Sequence, residues 1–433
     1  MKKVVAICIS FLLLFSSMTA MASTTDLGLN SNLIDNSDKH SIMQLYKDED
    51  VTSLIKMIVE EENLIYDSSV KLEWKDLIKV YSGTDILSEK TSNKLQILNK
   101  LNNSDYCYVV SVFYDDLEIE LTFSKGREVS EGIEEYLTAE QYQEVINNVG
   151  RWFVSSIALI TDGCISYYNV VSEQNFKTMD EYIVIGGQPG FWYPIIIKFD
   201  GDKATEIVPI YDKSDYPLLQ TELLLPLETN TYNFADILNI VGIGERGFVN
   251  QNEDFLLTNS GVDESTLYAT SGSYRLINVT KYSQEMSNWC WAASAQMLGK
   301  YYTGTKTSQA SIVQYVKGSS SSNTAAVDSE TRLAISYAVG SSYLVTASGV
   351  KNYSTLENKI YNQEKPFAIR IRWASGGGHI FVVSGVNGAV ADYLHLINPN
   401  ANRANQWHSY TAMVNGTVFP YDTGYYAATF LVN

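Results

Sequence analysis

Apolar residues between positions 41 and 65 recur at helical intervals. Met43, Leu45, Val51, Leu54, Ile55, Ile58 and Val59 predict one amphipathic helix, with Glu60 to Glu62 near its end. From position 70 to 211 the pattern changes to short runs of β-branched and aromatic residues, at 108–114, 117–123, 152–160, 165–171, 182–185, 192–199 and 204–211. Asp115-Asp116, Asp162-Gly163 and Asp200-Gly201 separate some of them as turns, so an antiparallel sheet is predicted. Residues 135–149, with Tyr136, Leu137, Tyr142, Val145 and Ile146, form the best helix candidate inside this region. No sustained period runs through 212–274, which is rich in Asn, Thr, Ser, Gly and Asp and reads as a linker. Beyond it, helices are predicted at 290–302, 308–316 and 354–363, with a surface loop at 319–322. Strands follow at 367–373, 379–386, 393–397 and 427–432. Helices first and strands afterwards describe an α+β unit with an antiparallel sheet, preceded by a β-rich α+β unit.

Length and punctuation divide the chain further. At roughly 100–200 residues per domain, 433 residues accommodate two or three units. Residues 1–22 read as a signal peptide, with Lys2 and Lys3 before an apolar run and Ala20-Met21-Ala22 as the small-residue cleavage site. The expected division is therefore a signal peptide at 1–22, an acidic unit at 23–211, a linker with a processing site at 212–274, and a second unit at 275–433. A secreted, extracellular protein is expected, with no membrane contact once the signal is removed. After Cys8 is removed with the signal, Cys107, Cys164 and Cys290 remain, and an odd cysteine in an exported chain points to a free thiol. Cys107 and Cys164 both sit in apolar, strand-like surroundings, as buried thiols or as a pair.

The net charge of −18 conceals an asymmetry. Residues 23–274 hold 17 basic against 42 acidic side chains, net −25, whereas 275–433 hold 12 against 7, net +5. Two units of opposite sign can attract each other, although acidity alone also keeps an exported protein in solution. Neither nucleic acid nor a cofactor is expected as a partner, and the Cys and His spacings give no metal site.

The chemistry concentrates around Cys290, in Gln284-Glu285-Met286-Ser287-Asn288-Trp289-Cys290-Trp291-Ala292-Ala293. A thiol at the first turn of a helix faces unpaired N–H groups and the positive end of the macrodipole, which favour its thiolate. Gln284, six residues upstream, is placed to join the Cys290 N–H in holding an oxyanion. A base is needed, and the histidines are His40, His379, His395 and His408. His379 follows Gly376-Gly377-Gly378 and opens an apolar strand, which suits a rigidly held ring. His40 lies in a polar segment, His395 reads as a half-buried structural residue, and His408 as solvated in the polar loop at 402–409. Asn398 ends the 393–397 strand and precedes Pro399, a place that serves either an orienting side chain or a plain turn.

Taken together, Gln284, Asn288-Trp289-Cys290-Trp291-Ala292-Ala293, Gly378-His379 and Ile397-Asn398-Pro399 resemble the papain-like cysteine peptidases, particularly bacterial secreted and effector proteases. The resemblance covers about 274–433. It implies a helix bearing the cysteine packed on an antiparallel sheet bearing His and Asn. It also implies Cys290 as nucleophile, His379 as base and then acid, Asn398 as orienter of the imidazole, Gln284 as oxyanion donor, and protein or peptide substrates. The 89-residue interval from Cys290 to His379 is shorter than in the plant and lysosomal members, whose Cys-Gly-Ser-Cys pattern is absent. As in secreted members, the N-terminal unit resembles an inhibitory propeptide acting within its own chain; an independent binding domain is the alternative. Rival activities are a peptide ligase or a cell-wall amidase, with a non-catalytic binding protein as the rival outside enzymes.

Overall fold

Two helices stand where the apolar pattern reads one: α1 (Asn36–Leu45) and α2 (Glu49–Glu61). The Asp48 carboxylate accepts the Asp50 N–H at 2.9 Å, caps α2 and so divides the pattern between Leu45 and Glu49. The computed structural model describes residues 35–82, 91–161, 164–174, 176, 181–186, 194–210, 232–233, 273–374, 376–400, 403–419 and 422–433. The expected signal peptide, the Asp162-Gly163 turn and nearly all of the expected linker lie outside the described residues. Among those residues, no helix is long and apolar enough to cross a membrane.

The N-terminal strands are β1 (Glu73–Trp74), β2 (Ile78–Tyr81), β3 (Tyr106–Tyr114), β4 (Leu117–Lys125), β5 (Trp152–Ile160), β6 (Tyr182–Ile185), β7 (Ile195–Asp200), β8 (Lys203–Pro209) and β9 (Tyr232–Asn233). Their pairings are antiparallel except β2 with β6, which is parallel. Between them lie α3 (Lys94–Leu101), α4 (Ala139–Asn148) and α5 (Tyr167–Glu173). The helix read at 135–149 is shorter than expected, because Thr138 and Gln141 form a capping box that starts it at Ala139. The strand read at 165–171 is a helix: the Ser166 hydroxyl caps it by accepting the Asn169 N–H at 3.0 Å. Cys107 and Cys164 are free thiols, the first buried in β3 and the second outside any strand.

The C-terminal half runs β10 (Tyr274–Leu276), α6 (Cys290–Thr303), α7 (Gln309–Lys317), α8 (Asp328–Val339), β11 (Val345–Ser348), α9 (Tyr353–Glu357), β12 (Phe367–Trp373), β13 (Gly378–Asn387), β14 (Tyr393–Ile397), β15 (Gln406–Ser409), α10 (Tyr410–Asn415), β16 (Thr417–Val418) and β17 (Thr423–Val432). A π-helical turn, Asn358–Asn362, prolongs α9. Small residues let the layers approach: a Cβ on Gly299 of α6 would lie 2.8 Å from the Ala338 carbonyl oxygen of α8. Ala292, Ala295, Met297 and Leu298 pack with Ile380, Val382 and Ile397 in the core between α6 and the sheet.

One sheet crosses the boundary between the halves. Trp407 and His408 of β15 pair antiparallel with Ile157 and Ser156 of β5, and Tyr393 and Trp407 belong to the same apolar cluster as Leu54, Tyr108 and Phe123. Hydrogen bonds reinforce the join. The Tyr393 hydroxyl donates to the Val154 carbonyl at 2.8 Å, the Tyr410 hydroxyl to that of Tyr136 at 2.9 Å, and the Ser130 N–H to the Asn415 side chain at 2.8 Å. Arg127 with Asp105 and Arg370 with Asp328, by contrast, are ion pairs inside one half each.

The loop read at 402–409 is a strand in its second half, and His408 is buried there, not solvated. With β14 on one edge of β15 and β5 on the other, Gln406 to Ser409 are enclosed whatever their polarity.

Candidate active site

Cys290 is the first residue of α6, after Trp289. The chain into it is clasped by the 322–324 loop. The indole N–H of Trp289 donates to the Ser322 carbonyl at 2.8 Å and that of Trp291 to the Thr324 carbonyl at 3.2 Å, while the Asn288 N–H donates to the Asn323 side chain at 3.0 Å. Both indoles are buried, so satisfying their N–H groups fixes where the helix begins. One turn on, the Ser294 hydroxyl donates to the Ile380 carbonyl at 3.3 Å, holding α6 against the strand that carries His379.

His379 enters β13 from a tight glycine turn. Gly376 and Gly377 have φ of +105° and +74°, and a Cβ on Gly378 would lie 2.6 Å from the Ile371 carbonyl oxygen. Ile371 of β12 is the sheet partner of His379. The ring lies 4.6 Å from that of Phe381, edge to face, and 6.5 Å from that of Trp373.

Asn398 immediately follows β14, which pairs with β13, and its Oδ1 is 3.0 Å from Nε2 of His379. The same oxygen accepts the Asn400 N–H at 2.9 Å. A main-chain N–H needs an acceptor, so this amide atom is the oxygen; Nε2 must then carry the ring proton, and Nδ1 is left with a lone pair. This tautomer can receive a proton from a thiol through Nδ1 while Asn398 holds the opposite nitrogen.

The electrostatics set the pair at rest. Burial pushes the Cys290 thiol up to about 11, against a smaller pull from main-chain groups of Ile380, Trp291 and Cys290 itself. Burial pulls the His379 imidazolium down to about 4, which the Asn398 hydrogen bond partly opposes. At neutral pH both the thiol and the imidazole are then uncharged, whereas the helix-start argument alone favours a thiolate.

The structure brings His379 and Asn398 into contact and places Cys290 at the start of α6, the helix packed against their strands. Gln284 is also nearby and buried, but its Nε2 donates to the Met286 carbonyl at 3.1 Å and to the Ser287 carbonyl at 2.7 Å. Both amide hydrogens brace the lead-in to Cys290, and Gln284 must release one before it can meet an oxyanion. His395, on β14, is a buried histidine bonded to the Ser384 hydroxyl at 2.6 Å, and His40 is exposed on α1. Sequence reasoning missed Asn323, which the sequence shows only as one polar residue in a Ser-rich loop. It also missed Trp373, whose signal is a lone aromatic just before the glycine turn. Among the described residues, no group of His, Cys, Asp and Glu is arranged to hold a metal ion.

Residues 274–414 match the family model of the papain-like cysteine protease AvrRpt2, a bacterial effector. Over these residues the chain is similar to a papain-like bacterial cysteine protease. No curated protein gives a significant match.

Proposed function

We propose that the protein is a cysteine endopeptidase that cleaves peptide bonds through a thioester on Cys290. His379 takes the thiol proton at Nδ1 as sulfur attacks the scissile carbonyl carbon, and then gives that proton to the leaving amine. It next takes a proton from water, whose oxygen attacks the thioester carbonyl and frees the acid product and the thiol. Asn398 keeps the imidazole turned so that Nδ1 serves in each step. The Cys290 N–H at the start of α6, with Gln284 once one of its hydrogens is released, faces the oxyanion. The observation carrying this reading is the short contact between His379 Nε2 and Asn398 Oδ1, in a segment that matches a papain-like family.

We also propose export by the 1–22 signal and synthesis as a precursor. The N-terminal part would act as intramolecular inhibitor while the chain is whole. The test is covalent trapping with an electrophilic peptide, read by mass spectrometry beside peptide hydrolysis. The expected results are one added label on Cys290, none in Cys290→Ala, and no hydrolysis by Cys290→Ala or His379→Ala. Hydrolysis by Cys290→Ala above a hundredth of the wild-type rate would overturn the assignment.

A further inference from the structure

The chain that follows Asn398 is anchored in the N-terminal part. β14 ends one residue before it, β15 begins at Gln406, and the outer edge of β15 is bonded to β5 of the N-terminal part. Between the two strands the chain passes Arg403, whose buried side chain leaves its own half. Nη2 donates to the Ile210 carbonyl at 2.8 Å, and the guanidinium carbon lies 5.5 Å from the centre of the Tyr167 ring. Glu120, a buried carboxyl that accepts the Tyr167 N–H at 3.0 Å, feels the charge of Arg403. The backbone of the same stretch is fastened from the other side. The Gln284 N–H donates to the Pro399 carbonyl at 2.7 Å, and the Lys281 ammonium donates to the Arg403 carbonyl.

We infer that Arg403 is a positioning residue for the reaction and that the N-terminal part, gripping it at Ile210, Tyr167 and Glu120, is the support that keeps Asn398 on His379. This rests on the peptidase reading above. A planar guanidinium is suited to the task, because it can bond a carbonyl, lie on a ring and face a carboxylate at once, and it holds the loop at a fixed depth. Small displacements of an orienting group are costly in rate, since the reacting geometry is narrow. The N-terminal part is thus a working component of the active site, in addition to any masking role before processing.

The test uses the full chain with wild type, Arg403→Ala, Arg403→Lys, Asn398→Ala and the Asn398→Ala/Arg403→Ala double variant, each normalised by covalent titration of Cys290. We expect Arg403→Ala to lower kcat per titrated site about tenfold or more with KM little changed, and Arg403→Lys to recover part of the loss by donating to Ile210. Because the Asn398 hydrogen bond raises the imidazolium pKa and His379 must be uncharged to act as base, loosening it should move the acid limb of the rate profile to lower pH. That shift should appear in Arg403→Ala with the same sign as in Asn398→Ala. The double variant should be no slower than Asn398→Ala alone. A wild-type limb and kcat in Arg403→Ala, or additive losses in the double variant, would overturn the inference. Should Arg403→Ala fail to fold, Tyr167→Leu and Glu120→Gln, made in the other half, must shift the limb the same way or the inference is wrong. Amide exchange at Asn400, whose N–H is bonded to Asn398, needs no turnover. Faster exchange in Arg403→Ala is required even if wild type never labels at Cys290, an outcome that would sink the peptidase reading alone.

Discussion

At the scale of single residues, burial works against charge on both reacting partners. A thiol raised to about 11 keeps its proton across the neutral range, and an imidazole lowered to about 4 gains one only as the pH falls toward 4. In the uncut full-length chain, alkylation of Cys290 by iodoacetamide should therefore accelerate steadily above pH 8. A rate already level between pH 5 and 8 would reveal a preformed thiolate–imidazolium pair and refute this account. His408 tests the other histidine assignments. Its Nε2 lies 2.9 Å from the Gln406 Oε1 in a buried strand, so His408→Ala should cost about 1–3 kcal/mol by orphaning that partner. Denaturant midpoints should fall while kcat per titrated site stays near wild type; loss of turnover in a stably folded variant would mean that the base is misassigned. Cys290, His379 and Asn398 stand out as candidates in the chain because their neighbours are unusual: paired tryptophans, a glycine run, and an Asn-Pro at a strand end. The burial of His408 was not legible, because polarity around 402–409 signals a loop only when the backbone has no sheet partners, and both partners come from distant sequence.

Elements show the same division. Strands such as 152–160 and 393–397 are rich in aromatic and branched apolar residues and were read with the boundaries they have in the fold. α8 was missed because its buried face is built from Thr331, Ala334, Ile335, Ala338 and Val339, too small and mixed to stand out as a stripe. The segment at 165–171 misleads for a different reason. Tyr167, Tyr168, Val170 and Val171 favour strands by composition, but a serine hydroxyl at 166 supplies the first turn with an acceptor, and a capped start outweighs a weak propensity. Ser166→Ala should then lower stability by about 1 kcal/mol, seen in the denaturant midpoint. Ser166→Asp, which can also cap, should retain most of it. Equal losses in both variants would mean that the cap does not hold α5.

Across the whole molecule, the charge contrast between −25 and +5 suggested halves held together by attraction, yet besides the buried Arg403 facing Glu120 the boundary is joined by sheet pairing, apolar burial and hydrogen bonds. Strand β15 completes a sheet with β5, Tyr393 and Trp407 sink into the N-terminal core, and neutral side chains bond carbonyls across the join. Raising salt from 0.1 M to 1 M shortens the Debye length from ~10 Å to ~3 Å and weakens surface attraction, but leaves apolar burial and sheet hydrogen bonds in place. The geometry also narrows where a processing cut can fall. Ser273 is buried, its carbonyl accepts the Gly388 N–H at 2.7 Å, its hydroxyl donates to Glu357, and Tyr274 to Leu276 are bonded along β13. A protease needs several residues free on each side of the bond it cuts, so cleavage in the expected 212–274 linker should stop short of 273. After processing, mass spectrometry should place the new N-terminus before Ser273, and the two pieces should elute together in size exclusion at both salt concentrations. Separation at 1 M but not at 0.1 M would restore the electrostatic account. Separation at both would mean that the shared sheet does not outlast the cut.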